Sequence, residues 1–127
     1  MARACCTAAR SRLFATPNPA GAPAERRARL FYRLHGYRIL AANVWAGGAE
    51  LDLVVRRGRR LVFCEVKSKR SARYGDPLEA VDAEKQRRLR RAAETWLAYR
   101  PELHELEVSF DVVAERDGRL ERVRNAF

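Results

Sequence analysis

The spacing of hydrophobic residues divides the chain into helical and extended segments. A first helix is predicted over residues 23–35, because apolar residues recur there three or four positions apart and Gly36 suits the position after the last turn. A second helix is predicted over residues 83–99, with Asp82 as its N-terminal cap. Its apolar stripe at helical spacing consists of Leu89, Ala92, Ala93, Trp96 and Leu97.

Segments rich in β-branched and aromatic residues separate and follow these helices. We expect strands over residues 37–44, 50–55, 61–67, 106–112 and 120–123. Gly47 and Gly48 end the first strand and separate it from the second, and Arg57 with Gly58 is a turn signal between the second and third. The second and third strands are therefore predicted to form a β-hairpin.

The predicted element order is α-β-β-β-α-β, with a short final strand, which indicates an α/β domain with a mixed central sheet flanked by helices. A chain of 127 residues fits one such domain, assigned here to residues 23–127. Residues 1–22 are rich in arginine and contain no acid. We expect a disordered lead-in there, with an organelle transit peptide as the alternative.

The charge of the chain favours a polyanionic partner. Its formal net charge is +10, so nucleic acid is the first expectation and an acidic membrane surface the second, while a bias toward arginine without any partner is the third. No apolar run reaches the roughly 20 residues that cross a bilayer, so we expect a soluble protein. Because nucleic acid ranks above a membrane surface, we expect nucleic acid and no membrane as the partner. The three cysteines have neither disulfide nor metal-ligand spacing, which favours a reducing, cytoplasmic setting.

Charged residues interrupt two strands that otherwise have a buried pattern. They are Glu50 and Asp52 on one strand and Glu65 and Lys67 on the next. A two-residue turn at Arg57-Gly58 would pair Arg56 with Arg59 and Glu50 with Glu65, so that all four side chains share one face. Asp52 and Glu65 would then be diagonal neighbours about 7–8 Å apart.

Two carboxylates at this spacing can hold a divalent cation. Mg²⁺ prefers oxygen ligands and keeps several waters, so Asp52 and Glu65 suffice for one or two ions of Mg²⁺ or Mn²⁺. Phosphodiester cleavage uses such an ion together with a group such as Lys67, which can orient water or stabilise charge. The alternative is a structural ion-pair network at a sheet edge.

The spacing Asp-x12-Glu-x-Lys is that of the PD-(D/E)xK nuclease superfamily, and the surrounding residues are more specific. Segments 36–40, 50–53, 61–67, 74–81, 85–89, 110–113 and 124–127 closely resemble the YraN family. The resemblance covers residues 24–127. It implies a restriction-endonuclease-like core related to Holliday-junction resolvases, and a bacterial cytoplasmic protein.

The resemblance also implies site residues. Asp52, Glu65 and Lys67 match the superfamily's catalytic positions, and Glu50 matches a further family acid. Glu25 matches an acid of the first helix that can complete such sites, or it is an acid favoured by the helix dipole. Gln86 matches a helix position facing the same cleft, or it forms a cap or hydrogen bond in the core.

Basic residues beyond the third strand are candidates for phosphate contact. They are Lys69, Arg70, Arg73 and Lys85, with Tyr74 as a candidate for stacking on an unpaired base. A solvated loop is the alternative for this segment. The leading hypothesis is a metal-dependent nuclease-like protein acting on DNA rather than RNA, with branched or single-stranded DNA as candidate substrates. The alternatives are a non-catalytic nucleic-acid-binding protein and an adaptor in DNA repair or processing, and a homodimer fits the resolvase-like fold.

Overall fold

A five-stranded mixed sheet lies between two helices in the computed structural model, which describes residues 22–68 and 81–127. The elements in chain order are α1 (Ala22–Leu34), β1 (Arg38–Ala46), β2 (Ala49–Arg57), β3 (Arg60–Ser68), α2 (Ala83–Ala98), a short 3-10 helix (Pro101–Leu103), β4 (Glu107–Arg116) and β5 (Arg119–Val123). The predicted α-β-β-β-α-β order and the final strand are confirmed. None of the helices in the described part of the chain has the length and apolarity needed to cross a membrane.

The strand order in the sheet is the same as the order in the chain, and one neighbouring pair is parallel. β3 and β4 run parallel, whereas the other neighbours are antiparallel. A parallel pair needs a crossover connection, and α2 lies in it, between β3 and β4. β3 therefore occupies the middle of the sheet, with α2 packed against the strands.

Both faces of the sheet are buried. On the α2 side, the Phe63 ring stacks on Phe110 at 5.6 Å and meets Trp96 edge-on at 5.8 Å, between ring centroids. On the α1 side, Tyr32 packs in a cluster with Cys64. Trp96, predicted on the apolar stripe of the second helix, is confirmed as buried at 4% exposure, and Cys64 is 3% exposed.

The hairpin between β2 and β3 turns one residue later than predicted. Arg57 pairs with Arg60, so the turn residues are Gly58 and Arg59, and the predicted Arg56–Arg59 and Glu50–Glu65 pairs are wrong. The Arg57–Arg60 pair makes Gly58 the first turn residue, and Gly58 adopts a φ of +59°, a conformation that glycine tolerates best. The register changes by two positions in total, which keeps Asp52 on the face of Glu65 and Lys67, whereas the predicted common face does not extend to Glu50, because the alternation of β2 breaks between Leu51 and Leu53.

β1 carries a conformational irregularity at Asn43. Its φ is +53° between two regular cross-strand pairs, Ala42 with Leu53 and Val44 with Leu51. At this level the alternation of the neighbouring strand breaks, because Leu53 packs on the α1 side and Leu51 on the α2 side. Asparagine tolerates the left-handed region better than most residues, whereas β-branched residues do not.

The positive φ of Asn43 leads to a prediction about stability. Asn43→Val should lower the free energy of unfolding by about 1–2 kcal/mol, because a β-branched side chain is strained at positive φ. Asn43→Gly, which has no such strain, should stay close to the wild type. Urea denaturation of the three proteins measures both effects, and equal stability of the Val variant and the wild type would contradict the left-handed conformation.

Candidate functional site

Charged side chains gather at the end of the sheet where β2 begins and β3 ends. Glu65 lies on the central strand and is only 6% exposed, and Asp52 on β2 is partly buried. The paired part of the two strands ends at Leu53 and Cys64, and Asp52 and Glu65 follow directly beyond it and line the same pocket. Asp52 Oδ2 accepts a hydrogen bond of 3.0 Å from the backbone N–H of Val66, which ties the carboxylate to β3.

Two lysines neutralise Glu65. Lys85 Nζ lies 2.7 Å and Lys67 Nζ 3.2 Å from the same oxygen, Glu65 Oε2. Lys67 is two residues beyond Glu65 on β3 and shares its face. Lys85 comes from the first turn of α2, where its backbone N–H donates to the cap Asp82 over 2.8 Å. The start of α2 thus brings a lysine from a distant part of the chain onto the central carboxylate.

The sequence assigned Lys85 to nucleic-acid contact and missed its proximity to Glu65. Lys85 lies in a helical segment 20 positions after Glu65, so strand alternation gave no indication of the contact. The available signal was composition. Lysine is scarce among the 26 basic residues, and two of the three lysines, Lys67 and Lys85, meet at this site.

The local electrostatics disfavour a second negative charge. Burial raises the pKa of Asp52 to about 8, assisted by the charges of Glu65 and Glu50, while the N–H of Val66 opposes the shift. These surroundings therefore favour the protonated form of Asp52, and a further cation would favour the charged form. Burial, together with the neighbouring Lys85, lowers the pKa of Lys67, although Glu65 acts in the opposite direction.

Two further predicted acids lie around this centre. Burial raises the pKa of Glu50, and the charges of Glu25 and then Glu65 add to the effect, whereas Lys85 opposes it. Glu25 is in the first turn of α1. It is thus near enough for its charge to act on Glu50. The first helix and the hairpin hence contribute acids to the same region, and a role of Glu25 and Glu50 in the site stays a prediction.

The other predicted site residues stand apart from this cluster or outside the described residues. The side-chain amide of Gln86 donates to the carbonyl oxygen of Val81 over 3.1 Å, at the start of α2. This contact fits the alternative of a capping role, and a role in the cleft stays a prediction. The remaining candidates, Lys69, Arg70, Arg73 and Tyr74, lie outside the residues that the structure describes.

An open pocket of about 270 Å³ covers the carboxylates. Its lining includes Trp45, Glu50, Asp52, Glu65, Lys85 and Arg88. Trp45, on β1, was not singled out from the sequence, although its position before the Gly47-Gly48 turn put an aromatic residue at a strand end. Its residue is 59% exposed, in contrast to the buried Trp96.

The donor set fits a hydrated divalent cation. Within residues 22–68 and 81–127, no three His, Cys, Asp or Glu side chains are grouped as a complete set of metal ligands. Mg²⁺ needs fewer protein ligands, because it keeps several waters and binds through one or two carboxylates. Asp52 and Glu65 supply such a pair, and a cation bound there would offset the burial and the repulsion between carboxylates that raise the pKa of Asp52.

Comparison with known proteins identifies close relatives. The model of the uncharacterised protein family UPF0102 matches residues 24–114. A UPF0102 protein of Symbiobacterium thermophilum is 46% identical over 112 residues, covering 84% of this chain and 94% of that protein. The UPF0102 protein YraN of Escherichia coli is 39% identical over 104 residues, covering 81% of this chain and 79% of its own length.

The raised pKa of Asp52 leads to a prediction about how stability depends on pH. Because the folded-state pKa of about 8 exceeds the ordinary value of 3.8, the folded state loses stability as the pH rises between these two values. Asp52→Asn removes the ionisable group and keeps an oxygen for the N–H of Val66. The variant should exceed the wild type by more than about 1 kcal/mol near pH 9, with the difference shrinking toward pH 4.

Urea denaturation across this pH range measures the difference. Glu121→Gln is the matched control, because Glu121 is an exposed carboxylate on β5. It should follow the wild type at every pH. Parallel pH curves for Asp52→Asn and the wild type would contradict the raised pKa.

Proposed function

The chain belongs to the UPF0102 family, and we propose that within this family it is a metal-dependent nuclease-like protein acting on DNA. The close similarity to YraN of Escherichia coli confirms the resemblance inferred from the sequence. The observation that carries the proposal is the meeting of Asp52 and Glu65 at the ends of adjacent strands, where Asp52 accepts a hydrogen bond from the N–H of Val66 and Lys67 lies 3.2 Å from Glu65. A bacterial, cytoplasmic location is part of the same proposal.

The carboxylates are the proposed metal ligands. Asp52 and Glu65 would hold Mg²⁺ or Mn²⁺, as one or two ions, with Glu50 or Glu25 as further acids. A bound ion would neutralise negative charge on the phosphoryl oxygens and would lower the pKa of a water that it binds. The hydrogen bond from Val66 to Asp52 keeps one ligand oriented before the ion arrives.

Lys67 is the proposed group that orients the attacking water or stabilises the negative charge that develops on the phosphoryl oxygens. It is partly buried, and its pKa lies below the ordinary lysine value, so its amine can exchange a proton more readily than an exposed lysine. In its protonated form, the same ammonium can stabilise negative charge on the phosphoryl oxygens. Both roles require the position beside Glu65 that β3 imposes.

Nucleic acid is the proposed partner because of the charge of the chain. The net charge of +10 favours a polyphosphate over a neutral substrate. Lys69, Arg70 and Arg73 are proposed phosphate contacts beyond β3, with Tyr74 as a stacking residue. A homodimer is proposed by fold analogy alone.

A second candidate function is non-catalytic binding of nucleic acid. It is favoured by the two ammonium groups on Glu65 Oε2, which neutralise the buried carboxylate without a metal ion. In that case the acids and lysines form a structural ion-pair network, and the basic surface alone binds phosphate. The adaptor hypothesis has no comparable contact in its favour.

Cleavage assays separate these functions. Labelled duplex, single-stranded and four-way-junction DNA, and RNA, are incubated with Mg²⁺, Mn²⁺ or EDTA. Cutting should require metal, and Asp52→Asn and Lys67→Met should each reduce it at least about 100-fold, since each removes a ligand or a charge-stabilising group. Glu121→Gln should cut like the wild type. Absence of cutting with salt-sensitive binding retained in all proteins would favour the binding function.

Lys85 gives a test of metal binding that does not depend on activity. Lys85→Met removes one of the two ammonium groups on Glu65 and should lower stability by about 1–2 kcal/mol without metal, because a buried charge loses a partner. Added Mg²⁺ should stabilise this variant more than the wild type, since the ion replaces the missing charge.

Thermal unfolding with and without Mg²⁺ measures this effect. Arg88→Met is the control, because Arg88 lines the same pocket but pairs with the exposed Glu84 at 2.8 Å. It should respond to Mg²⁺ like the wild type. An equal response of all three proteins would show that Lys85 does not compete with a cation.

A further inference from the structure

The structure points to Trp45 as a stacking platform for an unpaired nucleobase beside the carboxylate pair. This inference rests on the proposed function in taking nucleic acid as the ligand, but it does not require cleavage. It adds a substrate class, because the face of a base is accessible in single-stranded or distorted nucleic acid and covered in a regular duplex.

The position of Trp45 supports this role. It pairs with Glu50 across the antiparallel strands, so the two side chains share a face and line the same pocket of about 270 Å³. The residue is 59% exposed, whereas Trp96 is 4% exposed in the core. A large aromatic surface therefore faces solvent at the edge of the pocket that holds Asp52 and Glu65.

The backbone beneath Trp45 is held firmly. The turn that follows it contains Gly47, where an added Cβ would lie 2.7 Å from Thr95 Oγ1 and 3.0 Å from the backbone oxygen of Arg91. The turn is thus in close contact with α2, and Gly47 also has a φ of +56°. A platform on a strand end fixed in this way loses little conformational freedom when a ring stacks on it.

The charges around the pocket select a nucleotide over an uncharged aromatic ligand. Lys85 and Arg88, both on α2, line the same pocket as Trp45. The ion pair of Arg88 with Glu84 is exposed to solvent on both sides, so it is weak and can yield to a phosphate. A base on Trp45 would then have Arg88 and Lys85 as cationic partners for its phosphates, in the pocket that also holds the carboxylate pair.

The test compares binding of single-stranded and duplex DNA of the same sequence in EDTA, so that no strand is cut. Fluorescence anisotropy of labelled oligonucleotides gives the two affinities for the wild type, Trp45→Ala and Trp45→Phe. Trp45→Ala should weaken single-strand binding roughly 5- to 100-fold and change duplex binding less than about twofold. Trp45→Phe, which keeps an aromatic ring, should retain most of the single-strand affinity.

Intrinsic fluorescence adds a second readout in a protein whose binding surface is unchanged. In Trp96→Phe, Trp45 is the remaining tryptophan, since the chain has two. Single-stranded oligonucleotide should quench its emission more strongly than duplex. If Trp96→Phe does not fold, the anisotropy comparison decides by itself.

Three outcomes would overturn the inference. They are an equal loss of single-strand and duplex binding in Trp45→Ala, no loss of either, and a change of oligomeric state by sedimentation, which would assign Trp45 to contact with a second copy of the chain. A selective loss of single-strand binding in a protein that cuts no substrate would support the platform and overturn the nuclease proposal. Metal-dependent cutting, together with unchanged binding in Trp45→Ala, would support the nuclease proposal and overturn the stacking role of Trp45.

Discussion

The parallel pairing of β3 with β4 is the interaction on which the rest of the structure depends. It runs from Arg60 opposite Glu107 to Ser68 opposite Glu115 along the whole of β3. A parallel pair cannot be closed by a tight turn, so α2 has to lie in the connection. β3 thereby becomes the central strand, and a carboxylate at its end, Glu65, becomes buried. The same connection brings Lys85 to that carboxylate at 2.7 Å.

The sheet contains another buried acid, whose contacts are those of a residue with a purely structural role. Asp111 on β4 is 1% exposed and accepts hydrogen bonds from the Tyr32 hydroxyl at 2.8 Å and from Arg122 Nε at 2.9 Å. Its other oxygen accepts from the N–H of Asn125 at 3.3 Å. Donors on α1, β5 and the chain beyond β5 thus satisfy both oxygens. Asp111 needs no ligand, and it joins α1 to the far edge of the sheet.

Asp52 and Glu65 differ from Asp111 in how their charge is compensated. The two acids face each other, and the repulsion between them adds to burial in raising the pKa of Asp52. Lys67 and Lys85 both approach Glu65 Oε2, so their positive charges compensate one carboxylate, that of Glu65. An arrangement that leaves one acid short of positive charge beside an open pocket is typical of a binding or catalytic centre. The contrast within one sheet is the physical basis for placing function at this end.

The sequence by itself determined the elements, their order and the core of the site. Hydrophobic periodicity is a local property, so both helices, the strands and the shared face of Glu65 and Lys67 could be predicted from it, whereas the break in the alternation of β2 beside Asp52 could not. The exact turn could not, because Arg57-Gly58 and Gly58-Arg59 are equally compatible with the pattern, and only the pairing of Arg57 with Arg60 decides between them. Lys85 and Trp45 were beyond local reasoning for a different reason. Their places depend on how α2 and the β1–β2 turn pack against the sheet, and contacts between elements distant in sequence exist only once the tertiary structure has formed.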